Sequence, residues 1–222
     1  MKLALDHVVV AARRLEEGVA WCEAVLGITP GPGGQHVFMG THNRLFSIAS
    51  ATFPRAYFEI IAIDPNAIAL GRPRWFDLDQ PAIQAALAGG PKLVHWVART
   101  HNLALAHDEA RSAGIDCGEV LQAERETDRG TLTWRITVRP DGRRLMAGAV
   151  PTLIEWSGVH PVDTMPPSGV QLEQVVLAGL PPALVKALPT AAQTSADAAA
   201  PITLTLSTPR GKVRLEAPAG EV

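Results

Sequence analysis

Short apolar runs bounded by Gly, Pro, Asn or Asp recur along the chain and predict strands, while apolar residues three and four apart predict helices between them. The first strand is Leu5 to Ala11, followed by Leu15, Val19, Cys22 and Leu26, whose spacing places them on one helical face that Gly27 ends. A Gly/Pro loop from Thr29 to Gly34 leads to apolar stretches at Val37 to Met39, Leu45 to Ala49 and Tyr57 to Ile63, which complete a βαβββ order. The order then repeats: a strand from Leu93 to Arg99, a helix carrying Leu103, Ala106, Ala110 and Ala113, and strands near Val120, Leu132 to Val138 and Thr152 to Trp156. Asp141-Gly142 is a hairpin signal before the last of these. Between the two units, Pro81 to Ala88 reads as a short helix closed by Gly89-Gly90.

The strand openings match one another. Leu5-Asp6-His7-Val8-Val9, Leu93-Val94-His95-Trp96-Val97 and Leu172-Glu173-Gln174-Val175-Val176 carry His, His and Gln at the third position, at intervals of 88 and 79 residues. The pattern divides the chain into module one (1-70), an insertion (71-91), module two (92-158), a proline-containing linker (159-169) and a shorter unit (170-222). That last unit holds a strand from Gln171 to Ala178, a helix near Pro182 to Leu188, an Ala/Thr-rich loop from Thr190 to Ala200 and a terminal hairpin. It reads as a partial copy, so a chain ending near Val159 is expected to keep much of the fold.

The closing strands also match. Tyr57-Phe58-Glu59-Ile60-Ile61 and Thr152-Leu153-Ile154-Glu155-Trp156 each set one carboxylate in an apolar strand, 52 and 60 residues after its His. Alternate residues share a face, so His7 shares one with Leu5 and Val9, Glu59 with Tyr57 and Ile61, and Glu155 with Leu153 and Ser157. A carboxylate facing apolar walls is costly unless paired with a cation, whether a metal or a protonated His. The set His7, Glu59, His95 and Glu155 supplies mixed N/O ligands suited to Zn, Fe, Mn, Ni or Co. A metal-free polar cavity in which His and Glu pair with each other is the alternative.

Composition narrows the partners. With 20 basic and 22 acidic side chains and a formal charge of −2, the chain offers no basic face to nucleic acid and no attraction to an anionic membrane, which leaves a small molecule. Cys22 and Cys117 are the two cysteines, too few for a disulfide framework; with no leader or membrane span in the pattern, a cytoplasmic location is expected.

Paired βαβββ units with His on the first strand and Glu on the last resemble the vicinal oxygen chelate superfamily. The run Gly40-Thr41-His42-Asn43-Arg44-Leu45, followed by Tyr57-Phe58-Glu59-Ile60-Ile61-Ala62, resembles its glyoxalase-like branch. The resemblance implies an α+β fold of the glyoxalase/bleomycin resistance/dihydroxybiphenyl dioxygenase type, with two modules cupped around a cavity and a C-terminal partial module. It further implies a divalent ion at His7, Glu59, His95 and Glu155 that chelates a small oxygen-bearing metabolite. Glu59 and Glu155 are the residues that would shuttle protons in lyase, isomerase or dioxygenase chemistry. A metal-free protein that sequesters a small molecule is the second function compatible with the fold.

Other polar residues carry two readings each. His42, Asn43 and Arg44 either bind a substrate oxygen or form a polar turn. Arg99, His101 and Arg135 either reach the cavity or pair at the surface. Trp75-Phe76 is either a lid or a core anchor. Gln174 and Glu216 fit a structural remnant, and neither a serine elbow nor a phosphate loop is present.

Overall fold

The computed structural model describes residues 2–127, 130–188 and 192–219. Module one comprises β1 (Ala4–Ala11), α1 (Leu15–Trp21), β2 (Gln35–His36), β3 (Thr41–Ser47) and β4 (Tyr57–Ile63). The helix continues through one wider turn, Cys22–Leu26, and stops at Gly27, whose φ of +76° suits a residue without a Cβ. The insertion contributes α2 (Pro81–Ala88). Module two comprises β5 (Lys92–Arg99), α3 (Leu103–Ser112), β6 (Glu119–Thr127), β7 (Gly130–Val138) and β8 (Thr152–Ser157).

Among the described residues these strands form one eight-stranded sheet in the order β2-β3-β4-β1-β5-β8-β7-β6. The modules join through antiparallel β1 and β5, and within each module the first strand runs parallel to the last. Strand parity then sorts side chains into two layers. Val8, Val10, Phe46, Phe58, Ile60, Trp96, Ala98 and Leu153 pack into a cluster with residues of α1 and α3. Val9, Ala11, Ile61, Val97, Trp134, Ile136 and Ile154 face the other way, where the insertion supplies Trp75, Phe76, Leu78, Ile83 and Leu87.

Several element boundaries differ from the pattern. Val37–Met39 is a 3-10 turn rather than a strand, because Gly40 at φ +57° turns the chain directly into β3. Asp141-Gly142 does not make a tight hairpin: β7 ends at Val138 and β8 starts at Thr152, and the connection between them folds over the sheet face. The C-terminal unit adds β9 (Gln171–Ala178), α4 (Pro182–Ala187), β10 (Ala192–Ser195), β11 (Ile202–Thr208) and β12 (Gly211–Glu216) in a second sheet, β10-β9-β11-β12. The Ala/Thr-rich stretch expected as loop therefore contains a strand, parallel to β9; Thr190 lies outside the described residues.

This second sheet shares the helix-side core. Leu172, Val175, Leu177, Ile202, Leu204 and Leu206 are fully buried in the same cluster as Val8 and Trp96. Backbone hydrogen bonds from Leu172 to Ile48 and from Leu3 to Ala187 tie the two sheets together. The paired modules are thus not sealed on their own.

Candidate functional site

The curved face of the large sheet carries a small, part-open pocket. Polar side chains at its wall come from His7 on β1, Glu59 on β4, Asn43 on β3, His36 on β2 and Arg125 on β6, opposite the rings of Trp134 and Trp156. The register explains the convergence. His7 lies opposite Tyr57, Val9 opposite Glu59, and Leu45 opposite Glu59 from the other side, so these residues share one face.

A β-bulge changes the count at one position. The β1–β5 register shifts between Leu5 and His7, so Asp6 turns to the same side as His7 instead of following Val8 into the helix layer. Asp6 is fully buried and accepts from His7 Nδ1 at 2.7 Å, His160 Nε2 at 2.9 Å and Trp156 Nε1 at 3.1 Å, with Arg99 Nη1 3.9 Å away. Burial opposes ionisation of this carboxyl, but the His160 and His7 hydrogen bonds and charges outweigh it and hold Asp6 well below the usual carboxylate range. Because Asp6 accepts at Nδ1, the proton of a neutral His7 sits there and Nε2 is the free ring nitrogen, facing Glu59 Oε2 at 3.6 Å. Tyr57 stacks on the imidazole with ring centroids 4.5 Å apart and fixes its plane.

The chain of polar groups continues. Asn43 Nδ2 donates to Glu59 Oε1 at 2.6 Å, and its Oδ1 accepts from the Gly34 amide at 2.8 Å and from Arg125 Nη1 at 3.4 Å. His36 Nδ1 meets Thr41 Oγ1 at 3.1 Å. Burial, reinforced by the Arg125 charge, pushes the His36 imidazole down to about 3, so it stays neutral near pH 7. The free thiols Cys22 and Cys117 are pushed up by burial to about 12 and about 11, far from thiolate reactivity.

The four expected metal ligands do not converge. Glu155 pairs across β7 with Arg135 and shares the Leu153 face, toward α3. There its Oε2 accepts from the Leu103 amide at 2.6 Å and from Arg135 Nη2 at 2.8 Å, closing the first turn of α3. The cavity-facing neighbours on β8 are Ile154 and Trp156, so matching the two Glu by their position in an apolar run is off by one residue and selects the wrong face. His95 lines a second small pocket, its Nε2 accepting from the Thr152 amide at 3.1 Å. Burial and the Arg144 charge hold this imidazole well below its ordinary range.

Trp75 and Phe76 line both cavities and separate them. Both rings are buried, and Phe76 and Asp77 adopt φ near +60° while Asp77 is clasped by Arg144 at 2.8 Å.

Among the described residues no group of three or more His, Cys, Asp or Glu stands close enough to hold one ion. The donor set implied for a divalent ion therefore does not fit: two of its members face elsewhere and are already hydrogen-bonded. Of the other expected residues, Asn43 faces the cavity. His42 and Arg44 point to the opposite face, opposite Ala62 and Ile60, because they alternate with Asn43 along β3. Arg99 reaches the Leu5 carbonyl at 3.3 Å and stands behind His7, beside Asp6. Arg135 pairs with Glu155 on the helix side, whereas its neighbour Trp134 faces the cavity. The pattern missed Asp6, His36, Arg125 and His160. Asp6 carried the same signal as Glu59, a carboxylate within an apolar strand; Arg125 sits in a polar run, and His36 and His160 stand beside Gly- and Pro-containing segments outside any repeated pattern.

Comparison with known proteins agrees with this architecture. The family model "Glyoxalase-like domain" matches residues 5–192. No curated protein matches the chain in sequence. A hypothetical protein from Staphylococcus aureus is similar in structure with a TM-score of 0.57 at 16% identity, over 100% of this chain and 88% of that one. A methylmalonyl-CoA epimerase bound to methylmalonyl-CoA gives 0.45 at 17% identity, over 72% and 99%. The epimerase from Mycobacterium tuberculosis gives 0.40 at 16%, over 69% and 86%. With two βαβββ modules sharing one curved sheet and a family match across most of its length, this chain belongs to the glyoxalase-like domain family of the vicinal oxygen chelate fold.

Proposed function

We propose that this chain is an acid–base enzyme acting on a small oxygen-bearing metabolite in the His7 cavity, with proton transfer carried by His7 and Glu59. The observation that carries the reading is the 2.7 Å contact between buried Asp6 and His7 Nδ1, which leaves Nε2 aimed at Glu59 across 3.6 Å. Asp6 is the positioning residue: it fixes the tautomer and stabilises an imidazolium when His7 takes a proton. A separation of 3.6 Å is too long for a direct hydrogen bond and too short to admit an atom in line, so a substrate atom or a water beside the pair contacts both groups and exchanges protons with either. Asn43 holds one Glu59 oxygen and leaves Oε2 toward His7. Trp134 and Trp156 supply an apolar wall that excludes water from the reacting atoms.

The test is hydrogen–deuterium exchange. A panel of small 2-hydroxy and 2-oxo compounds is incubated with the protein in D2O, and loss of the proton adjacent to the carbonyl is followed by NMR. His7→Gln is expected to lower the exchange rate by roughly 10²-fold or more, as loss of a general base does. Exchange that survives that substitution unchanged rules the mechanism out.

The aromatic wall favours one other reading, a sequestering protein. Tight binding of a compound that shows no exchange and no turnover would select it.

A further inference from the structure

One cation at the cavity wall, Arg125, forms no ion pair with a carboxylate of the described residues. Arg125 is half-buried on β6, the edge strand of the large sheet, and reaches across to Asn43 on β3, near the opposite edge. Its hydrogen bond to Asn43, at 3.4 Å, is long and goes to a neutral amide, and its Nε is buried with no partner. Arg74, Arg135, Arg139 and Arg144, by comparison, each have a carboxylate oxygen at 2.7 or 2.8 Å. A half-buried guanidinium whose one side-chain hydrogen bond goes to a neutral amide keeps donors, Nε among them, that a ligand anion can take up.

The Arg125 side chain lies against the loop at Gly34, where a Cβ would stand 2.4 Å from Cδ and 2.8 Å from Nη1. Arg125 is thus seated rather than trailing in solvent. From it, Asn43, Glu59 and His7 follow in sequence at 3.4, 2.6 and 3.6 Å, which places the cation and the reacting groups along one wall.

We infer that the ligand of this cavity is an organic acid whose carboxylate docks on Arg125 while its flat, apolar body lies against the tryptophan wall near His7. The inference rests on the functional reading of the His7 cavity and adds to it the class of compound bound. A bidentate approach of the carboxylate to the fork is the contact that the Asn43 amide does not satisfy.

Cinnamate and cinnamamide, equal in shape and differing in charge, are the probes. Binding is read by quenching of tryptophan fluorescence and checked by saturation-transfer NMR, on the wild-type chain, Arg125→Gln and Arg125→Lys, with thermal melts to establish folding. The wild type is expected to prefer the carboxylate by about tenfold or more, consistent with a charge-assisted pair in a shielded site. In Arg125→Gln the preference vanishes while the affinity for the amide is unchanged. Should that variant not fold, Arg125→Lys carries the test: the preference shrinks as the fork is lost but keeps its sign. Equal affinities in the wild type, a preference untouched by either substitution, or no response to either probe at millimolar concentration overturns the inference. Because the readout is binding and not turnover, its failure leaves the acid–base reading to be judged by the exchange experiment alone.

Discussion

His36 should make the protein acid-sensitive by an amount that can be worked out. Its imidazole is pushed by burial and the Arg125 charge from 6.5 in the free side chain to about 3 in the folded protein. The unfolded chain therefore takes up a proton between these values and the folded chain does not. Stability from this group is complete above the unfolded value and is lost as pH falls from there toward the folded one. Between about pH 7 and about pH 5 the linkage amounts to about 2 kcal/mol. The experiment is urea denaturation of wild type and His36→Gln at both pH values. The variant is expected to start roughly 1–2 kcal/mol less stable at neutral pH, since it loses the Thr41 contact and packing on Trp75. It should then lose about 2 kcal/mol less than wild type on acidification. His95 titrates with the same sign, but it is present in both proteins and drops out of the double difference. Equal acid losses in the two proteins would refute the assignment of His36 as a buried neutral imidazole.

Three further outcomes follow from the packing. Asp6→Asn replaces the carboxylate that accepts from His7, His160 and Trp156 with an amide that has a single accepting oxygen, so unfolding in urea should show a loss of about 1–3 kcal/mol; no measurable loss would mean the network is hydrated. Glu155→Gln should cost about 1 kcal/mol through the first turn of α3 and leave ligand affinity and metal content of the purified protein unchanged, whereas a change in either at unaltered stability would return Glu155 to the cavity. Ending the chain at Val159 uncovers the apolar surface that now faces Leu172, Val175 and Leu204, and should give an aggregating product without a cooperative melt; a soluble, cooperatively melting fragment would show that the modules seal themselves.

Much of the architecture was legible in the linear pattern. The repeated His-bearing strands, the Gly-terminated helices and the alternation of Tyr57, Glu59 and Ile61 specify two βαβββ units and which residues share a face, because strand and helix periods are local properties of the backbone. Which face turns inward is not local. β8 is apolar on both sides, with Leu153 toward the helices and Ile154 toward the cavity, so parity alone could not place Glu155. A single bulge between Leu5 and His7 moved Asp6 across the sheet, and such a shift is set by pairing with β5, not by the β1 sequence. Arg125 and Asn43 are 82 residues apart and meet because the sheet curls until its opposite edges approach. Local periodicity specifies the modules, their order and the polar residues available; strand pairing, bulging and curvature select which of those residues meet, because only they convert shared periodicity into shared space.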